Sequence, residues 1–374
     1  MKVCVPKEIR EGEKRVALVP DVISKLAKLG YEVVIESGAG VESQAPDDLY
    51  RSAGASVVSG DVLSGADVVL SVQPLSVAQM SKLKKGAVTI SFLSPTTAVD
   101  SIDAAASAGV TAFSLELVPR ISRAQSMDAL SSQALCAGYR AALVGAELSP
   151  RFFPLLMTAA GTVTPAQVLV LGAGVAGLQA IATARRLGAV VSAYDVRPAS
   201  ADEVRSMGAT FIQLELEALE GAGGYAREMT EERAAKQREL LTPYIAKSHV
   251  VITTAAVPGR AAPRLMTKDM VYAMEPGTII VDLAAETGGN VEGSKPGEIV
   301  ETAGGVRIWG GKDVPSQLSF HASSLYARNV VNLLTLMTDA ESKSINLNFE
   351  DEIINGAAVT HGGARRTPEA KAAK

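Results

Sequence analysis

The sequence predicts an α/β protein of two Rossmann-like domains, each with a mostly parallel sheet, joined by long helices. Three observations carry this. Short apolar runs alternate with stretches whose apolar residues recur at helical spacing, the pattern of strands and their covering helices. The alternation breaks at a polar loop, residues 119–128, and restarts after a long apolar helix. The restart opens on Gly172-Ala173-Gly174-Val175-Ala176-Gly177, a glycine turn between an apolar strand and a helix. A chain of 374 residues is long for one domain and suits two.

Each element follows from its residues. The first series begins with a short strand at the N-terminus. Strands then fall at 33–36, 66–72, 87–93 and 110–117, with helices at 21–29, 76–84 and 99–107. Gly30, Gly86 and Gly109 stand just after those helices, where a left-handed cap is common. The helix at Ala129–Leu148 links the halves. The second series reads Gln167–Leu171 as a strand, 176–187 as a helix and Val190–Tyr194 as a strand. Further strands fall at 249–253, 278–282 and 307–309. A polar insertion at 216–239 carries Gly221-Ala222-Gly223-Gly224-Tyr225, too poor in side chains to pack itself down, and is expected to be a mobile lid. A helix from near Pro315 to about Met337 is expected to return to the first domain, and residues 345–349 and 357–360 to pair as a hairpin around Asn355-Gly356. Residues 361–374, mostly Gly, Ala, Arg, Lys and Pro, are expected to be disordered. The expected domains are thus 1–128 with about 318–360, and 129–317.

Composition narrows the function. The chain is 47% hydrophobic and 20% charged, with a net charge of −4, so no basic surface field holds nucleic acid. Cys4 and Cys136 lie in apolar segments and make no disulfide framework, which points to a reducing compartment. Without a Cys-x-x-Cys pair, and with His249, His321 and His361 far apart, no metal site is expected. The N-terminus lacks a signal-peptide core, and no run of about 18 apolar residues spans a bilayer.

The glycine turn carries the chemistry. Gly172 permits the tight turn, Gly174 lets a pyrophosphate approach the backbone, and Gly177 lets helix and strand pack closely. The helix N-terminus, at Val175 and Ala176, offers free N–H groups and a positive dipole end to phosphates. Asp195 follows Gly177 by 18 residues, at the end of the next strand, where a carboxylate accepts from both ribose hydroxyls and repels a 2′-phosphate. NAD(H) is therefore expected. Arg197 is the counter-signal, since an arginine there can meet a 2′-phosphate.

The loop Arg120-Ile121-Ser122-Arg123-Ala124-Gln125-Ser126-Met127-Asp128 resembles the signature loop of the NAD(H)-binding component of proton-translocating nicotinamide nucleotide transhydrogenases. The likeness continues through Met157-Thr158-Ala159-Ala160-Gly161-Thr162-Val163, residues 174–184 and Gly223-Gly224-Tyr225-Ala226, over nearly the whole chain. The resemblance implies that this component binds NAD(H) and passes hydride directly to or from NADP(H) on a separate component, in the AB-specific manner. It implies a membrane component that couples this to proton movement, a homodimer, and a peripheral place on the cytoplasmic face of the inner membrane. It assigns Arg120, Gln125 and Asp128 to the nicotinamide end and Tyr225 to a loop that closes over the nucleotide. Asp195, Gln237 and the neighbouring Val196, Arg197, Gly224 and Ala256 become nucleotide contacts. Hydride transfer between two nicotinamides needs positioning and dryness rather than an acid or base, which suits an amide, a carboxylate and a guanidinium. Read by itself, the loop is more readily a polar turn with a helix cap at Ser126 or Asp128, and Tyr225 is equally a packed tyrosine or a lid.

Two other readings stand beside this one. Alanine dehydrogenase is similar in architecture and in the segment Lys7-Glu8-Ile9 through Arg15-Val16-Ala17-Leu18. It needs a histidine acid/base and a lysine in the first domain. Here those stretches read Ile90-Ser91-Phe92-Leu93-Ser94 and Leu70-Ser71-Val72-Gln73-Pro74, and no histidine precedes His249. Arg15, without those partners, is read as structural. The other reading is a module that binds NAD(H) without turnover.

Overall fold

The computed structural model describes residues 1–216, 230–257 and 259–366. It divides into two compact units, one of Met1–Gln133 with Ser316–Lys374 and one of Ala134–Pro315.

The first unit begins with β1 (Lys2–Val5), α1 (Pro20–Lys28), β2 (Glu32–Glu36), α2 (Asp47–Ser52) and β3 (Ser56–Val58). It continues with β4 (Val68–Leu70), α3 (Val77–Met80), β5 (Val88–Ser91), α4 (Val99–Ser107) and β6 (Thr111–Ser114). Their six strands form one parallel sheet in the order β3-β2-β1-β4-β5-β6. The inner and far strands β1, β4, β5 and β6 are buried almost throughout and read as continuous apolar runs, while edge strand β3 is part exposed. Val3, Val68, Val88 and Ile90 face one core cluster, while Cys4 and Val69 face another. Pro20 starts α1, where its missing N–H costs nothing. A Ser76–Gln79 capping box starts α3.

Helix α5 (Ala129–Leu148) ends the first segment, and the second unit follows. This unit opens with a small antiparallel hairpin, β7 (Leu156–Thr158) and β8 (Gly161–Val163). Next come β9 (Gln167–Leu171), α6 (Val175–Arg186), β10 (Val190–Tyr194), α7 (Ser200–Ser206) and β11 (Thr210–Phe211). The unit closes with α8 (Glu231–Ala246), β12 (Val250–Thr253), α9 (Lys268–Tyr272), β13 (Ile279–Asp282), β14 (Ile299–Glu301) and β15 (Arg307–Gly310). The seven-stranded sheet runs β11-β10-β9-β12-β13-β15-β14. Only its edge strand β14 is antiparallel. Val168 and Val170 of β9 point into one core cluster and Leu169 and Leu171 into the other, the alternation of a strand covered on both faces.

The chain returns to the first unit with α10 (Ser319–Leu336), which buries Tyr326, Val330, Val331, Leu333 and Leu334 in that unit's core. Two expectations fail beyond it. Asn355-Gly356 lies inside α11 (Glu352–Ala357), not in a hairpin turn. Asp351 caps that helix through Ile353 N–H at 2.8 Å, and Ile353, Ile354 and Ala357 are buried at helical spacing. Cap and burial outweigh the local turn signal. Residues 361–366 are ordered: β16 (Thr360–His361) pairs antiparallel with β17 (Ala364–Arg365), and Arg366 stacks over Phe349 at 4.1 Å. The rest of the expected tail, 367–374, lies outside the described residues.

Candidate functional site

In the second unit, β9 is central. The chain runs outward through β10 and β11, then crosses back to β12 and β13 on the other side. The strand order therefore reverses between β9 and β12, and ligands of such sheets bind beyond the carboxyl ends of the strands at that point. The turn at 172–177 lies there. Gly172 adopts φ +102°, a left-handed conformation strained for any side chain, and donates its N–H to Tyr194 O at 2.8 Å. A Cβ on Gly177 would overlap the Gly172 carbonyl oxygen, whereas one on Gly174 would stand in open space. Gly172 thus serves the turn and Gly177 the packing, and the space beside Gly174 is open. Gly174 is the N-cap of α6 and offers no side chain, so the first N–H groups of that helix, beginning at Val175 and Ala176, have no internal partner.

Asp195, at the tip of β10, is fully occupied. Oδ2 accepts from Ala173 N–H at 2.7 Å and Arg197 Nη2 at 2.9 Å, and Oδ1 from Arg197 N–H at 2.8 Å and Nε at 2.9 Å. Those four donors fill the four lone-pair positions of a carboxylate. The counter-signal Arg197 is turned onto Asp195, whose hydrogen bonds push its pKa further up. Gln237 is buried and accepts from the Tyr194 hydroxyl at 3.0 Å, and burial pushes that phenol up to about 12. Val196 is half-buried, and Ala256 is exposed in the loop after β12. Gly224 and Tyr225 lie outside the described residues.

One contact escaped the sequence reading. A Cβ on Gly138 of α5 would overlap the Ala176 carbonyl oxygen, so that helix backbone lies directly on the start of α6. A glycine within a helix was the available signal.

In the first unit, the loop at 120–128 contains a 3₁₀ turn, Ser122–Met127. Buried Ala124 and Met127 anchor it, and the Ser126 carbonyl accepts from the Asn329 and Asn332 amides of α10. Arg120 and Gln125 are left exposed. The Asp128 carboxylate accepts from Ser131 N–H at 2.9 Å and its hydroxyl at 2.6 Å, so Asp128 is the residue that caps α5.

Arg15 is 6% exposed and satisfied from within. Glu13 accepts from its Nε at 2.7 Å and Nη2 at 2.6 Å, and Gln133 Oε1 from Nη1 at 2.9 Å. Glu13 also accepts from Ser316 Oγ and Gln73 Nε2, each at 2.6 Å. Burial alone would raise the Glu13 pKa, but Arg15 and these hydrogen bonds hold it down to about 2. Glu8 nearby is pushed up to about 7 by burial, against its bonds from Val72 and Gln73 N–H. Gln73 stands in the stretch where a lysine would be needed, and Phe92 packs over the guanidinium at 6.0 Å. Among the described residues no cluster of three metal-ligating side chains occurs, and no helix is long and apolar enough to cross a membrane.

The alanine dehydrogenase/PNT N-terminal domain matches residues 4–137, and the alanine dehydrogenase/PNT C-terminal domain matches residues 141–368. An NAD(P) transhydrogenase alpha-subunit polypeptide of Rhodospirillum rubrum is 49% identical, over 97% of this chain and 97% of that protein. The chain belongs to the NAD(P) transhydrogenase alpha-subunit family. A crystal structure of transhydrogenase from Sinorhizobium meliloti superposes on this alpha-subunit family member with a TM-score of 0.87 at 45% identity, covering 98% of this chain and 99% of that one. Alanine dehydrogenase of Mycobacterium tuberculosis is more distant, 32% identical over 79% of this chain and 76% of that protein. The α/β fold with two parallel-dominated sheets is therefore that of the transhydrogenase alpha subunit.

Proposed function

We propose that this chain is the NAD(H)-binding component of a proton-translocating transhydrogenase. Hydride passes directly between NAD(H) held here and NADP(H) held by a separate component, in the AB-specific sense, and a membrane component couples that step to proton movement. The observation that carries the proposal is the turn at 172–177, which closes β9, opens α6 without a side-chain cap and lies beside Asp195. Bound NAD(H) supplies the hydride that is transferred. The residues supply position. The α6 N-terminal N–H groups and dipole hold the phosphates. Asp195 holds the adenosine ribose and repels a 2′-phosphate once the Arg197 side chain turns aside and frees two acceptor positions, with Val196, Arg197, Gly224, Gln237 and Ala256 around the nucleotide. Arg120, Gln125 and Asp128 aim the nicotinamide end. The exposure of Arg120 and Gln125 on an anchored turn supports their part, and Asp128 fixes the end of that turn. Tyr225 closes over the nucleotide.

The Arg15 network supports this reading over an alanine dehydrogenase. An arginine that recognises a substrate carboxylate must have a free face. Here the chain's own Glu13 takes that face, and glutamine stands in the lysine region. Self-association as a homodimer, placed through its partners at the cytoplasmic face of the inner membrane, completes the proposal. The exposure of Phe152, Leu155 and Met157 around the β7–β8 hairpin supports a covered surface there. Titration tests the assignment: NADH should saturate one site per chain, and NADPH should bind at least about tenfold more weakly, as a buried charge conflict demands. Equal affinities would contradict it.

A further inference from the structure

The crevice beside β9 has a second wall, and that wall is held by residues that contribute nothing else to the mechanism. After β12 the chain runs through Thr254 and Ala255 past the glycine turn. Thr254 Oγ1 donates to Gly172 O at 2.9 Å. A Cβ on Gly172 would stand 2.7 Å from Thr254 Oγ1 and 3.3 Å from Ala255 N. The backbone at Ala255 therefore lies directly against the turn.

Neither the Ala255 N–H nor its carbonyl is paired to a strand neighbour. Both are taken by one side chain. Asn290 accepts from Ala255 N–H at 3.1 Å and donates to Ala255 O at 2.8 Å, and its second N–H reaches Pro263 O at 2.8 Å. Asn290 is 0% exposed. Its own backbone is held in turn by Asp282, also 0% exposed, at the carboxyl end of β13. Asp282 accepts from Asn290 N–H at 3.3 Å, Val291 N–H at 3.2 Å, Ala284 N–H at 3.0 Å and Thr253 Oγ1 at 3.1 Å. Hydrogen bonds thus run from buried Asp282 at the end of β13 to buried Asn290 and on to the part-buried Ala255 peptide, and the preceding residue, Thr254, bonds to Gly172. A buried carboxylate and a buried amide are costly unless every partner is in place, so such a chain specifies one position for the loop it holds.

We propose that Asn290, held by Asp282, is a positioning residue for the nucleotide: it fixes the Ala255 peptide as the wall of the crevice opposite the start of α6. The role rests on the NAD(H) reading above. It acts through the loop, with no contact to the reacting ring required. Leaving the loop free would widen the crevice and weaken binding without removing the site.

Titration of NADH into the full chain, followed by nicotinamide fluorescence, tests this. The unmodified chain comes first. If it fails to bind NADH, the NAD(H) reading is at fault, and the role of Asn290 falls with it. Asn290→Ala should then raise Kd at least tenfold while the titration still ends at one site per chain. Asn290→Asp keeps the acceptor for Ala255 N–H and loses both donors, so it should weaken binding by a smaller factor and carries the comparison if the alanine variant does not fold. Val306→Ala, in the core cluster that also holds Asn290's neighbour Val291 but before the amino end of β15, is the control and should leave Kd within twofold. A merely structural role would lower the number of competent sites at unchanged Kd. Unchanged Kd in the Asn290 variants would overturn the proposal, as would an equal rise in Val306→Ala.

Discussion

Two acid–arginine pairs, Glu13–Arg15 and Asp195–Arg197, share the same spacing of two residues and the same forked contact, yet their settings are opposite. In the first the side chains are 6% and 0% exposed, and Gln73, Gln133 and Ser316 complete the network. In the second the arginine is 23% exposed and stands at the mouth of the glycine turn. A buried pair whose three guanidinium nitrogens each donate to a buried acceptor has become part of the core. The partly exposed Arg197 has room to turn into water, which would release two acceptor positions on Asp195. On the proposed function the same local motif is then structure in one unit and recognition in the other, and the difference lies in the exposure of the arginine.

The comparison breaks most easily at Arg15. Arg15→Ala strands Glu13 without its cation, and loss of one partner of a buried pair should cost about 3–5 kcal/mol, read from the shift of the urea unfolding midpoint. A loss below about 1 kcal/mol would mean the pair is not buried as described. Asp195→Ala should act on binding, raising the NADH Kd about 10- to 100-fold, as expected for hydrogen bonds to a charged group worth about 1.5–3 kcal/mol. Unchanged affinity in calorimetry would remove Asp195 from the site.

The first unit also carries two carboxyls shifted in opposite directions. Glu13 is held down to about 2 from an ordinary 4.5, so its contribution is complete above 4.5 and fades as pH falls towards 2. Glu8 is raised to about 7, so its protonated form suits the fold, and stability should decline as pH rises from 4.5 through 7. Urea midpoints from pH 4 to 8 should show that decline, and Glu8→Gln should flatten it. A decline that survives in Glu8→Gln would assign it elsewhere. The smallest effect belongs to Arg197→Ala. The partly exposed arginine should contribute less than about 1 kcal/mol to stability. NADH affinity should hold or rise, because two acceptor positions on Asp195 are released. A large gain for NADPH in that variant would contradict the repulsion assigned to Asp195.

Much of this was legible in the sequence where the signal is local. Fully buried parallel strands read as apolar runs, so β9, β10 and the long helix α5 fall on the residues their patterns indicate. The glycine turn has a composition no other element needs. The three-residue strands β3, β7, β8 and β14 are too short and too exposed to show a period. Asn355-Gly356 carries a turn signal that the cap at Asp351 and the burial of α11 outweigh. At the site, the missing first-domain histidine was readable, but the partners that close Arg15 were not. Ser316 lies 303 residues from Glu13, and no spacing rule joins them. Asn290 was missed for the same reason: its two bonds to Ala255 cross 35 residues.

The central claim concerns where the hydride goes. NADH deuterated at both C4 positions, mixed with this chain, the NADP(H)-binding component and NADP⁺, should yield NADPH that carries one deuterium without loss to water, and only when both components are present. Label lost to solvent, no exchange with both components present, or NADH oxidation by this chain alone with pyruvate and ammonia would contradict it.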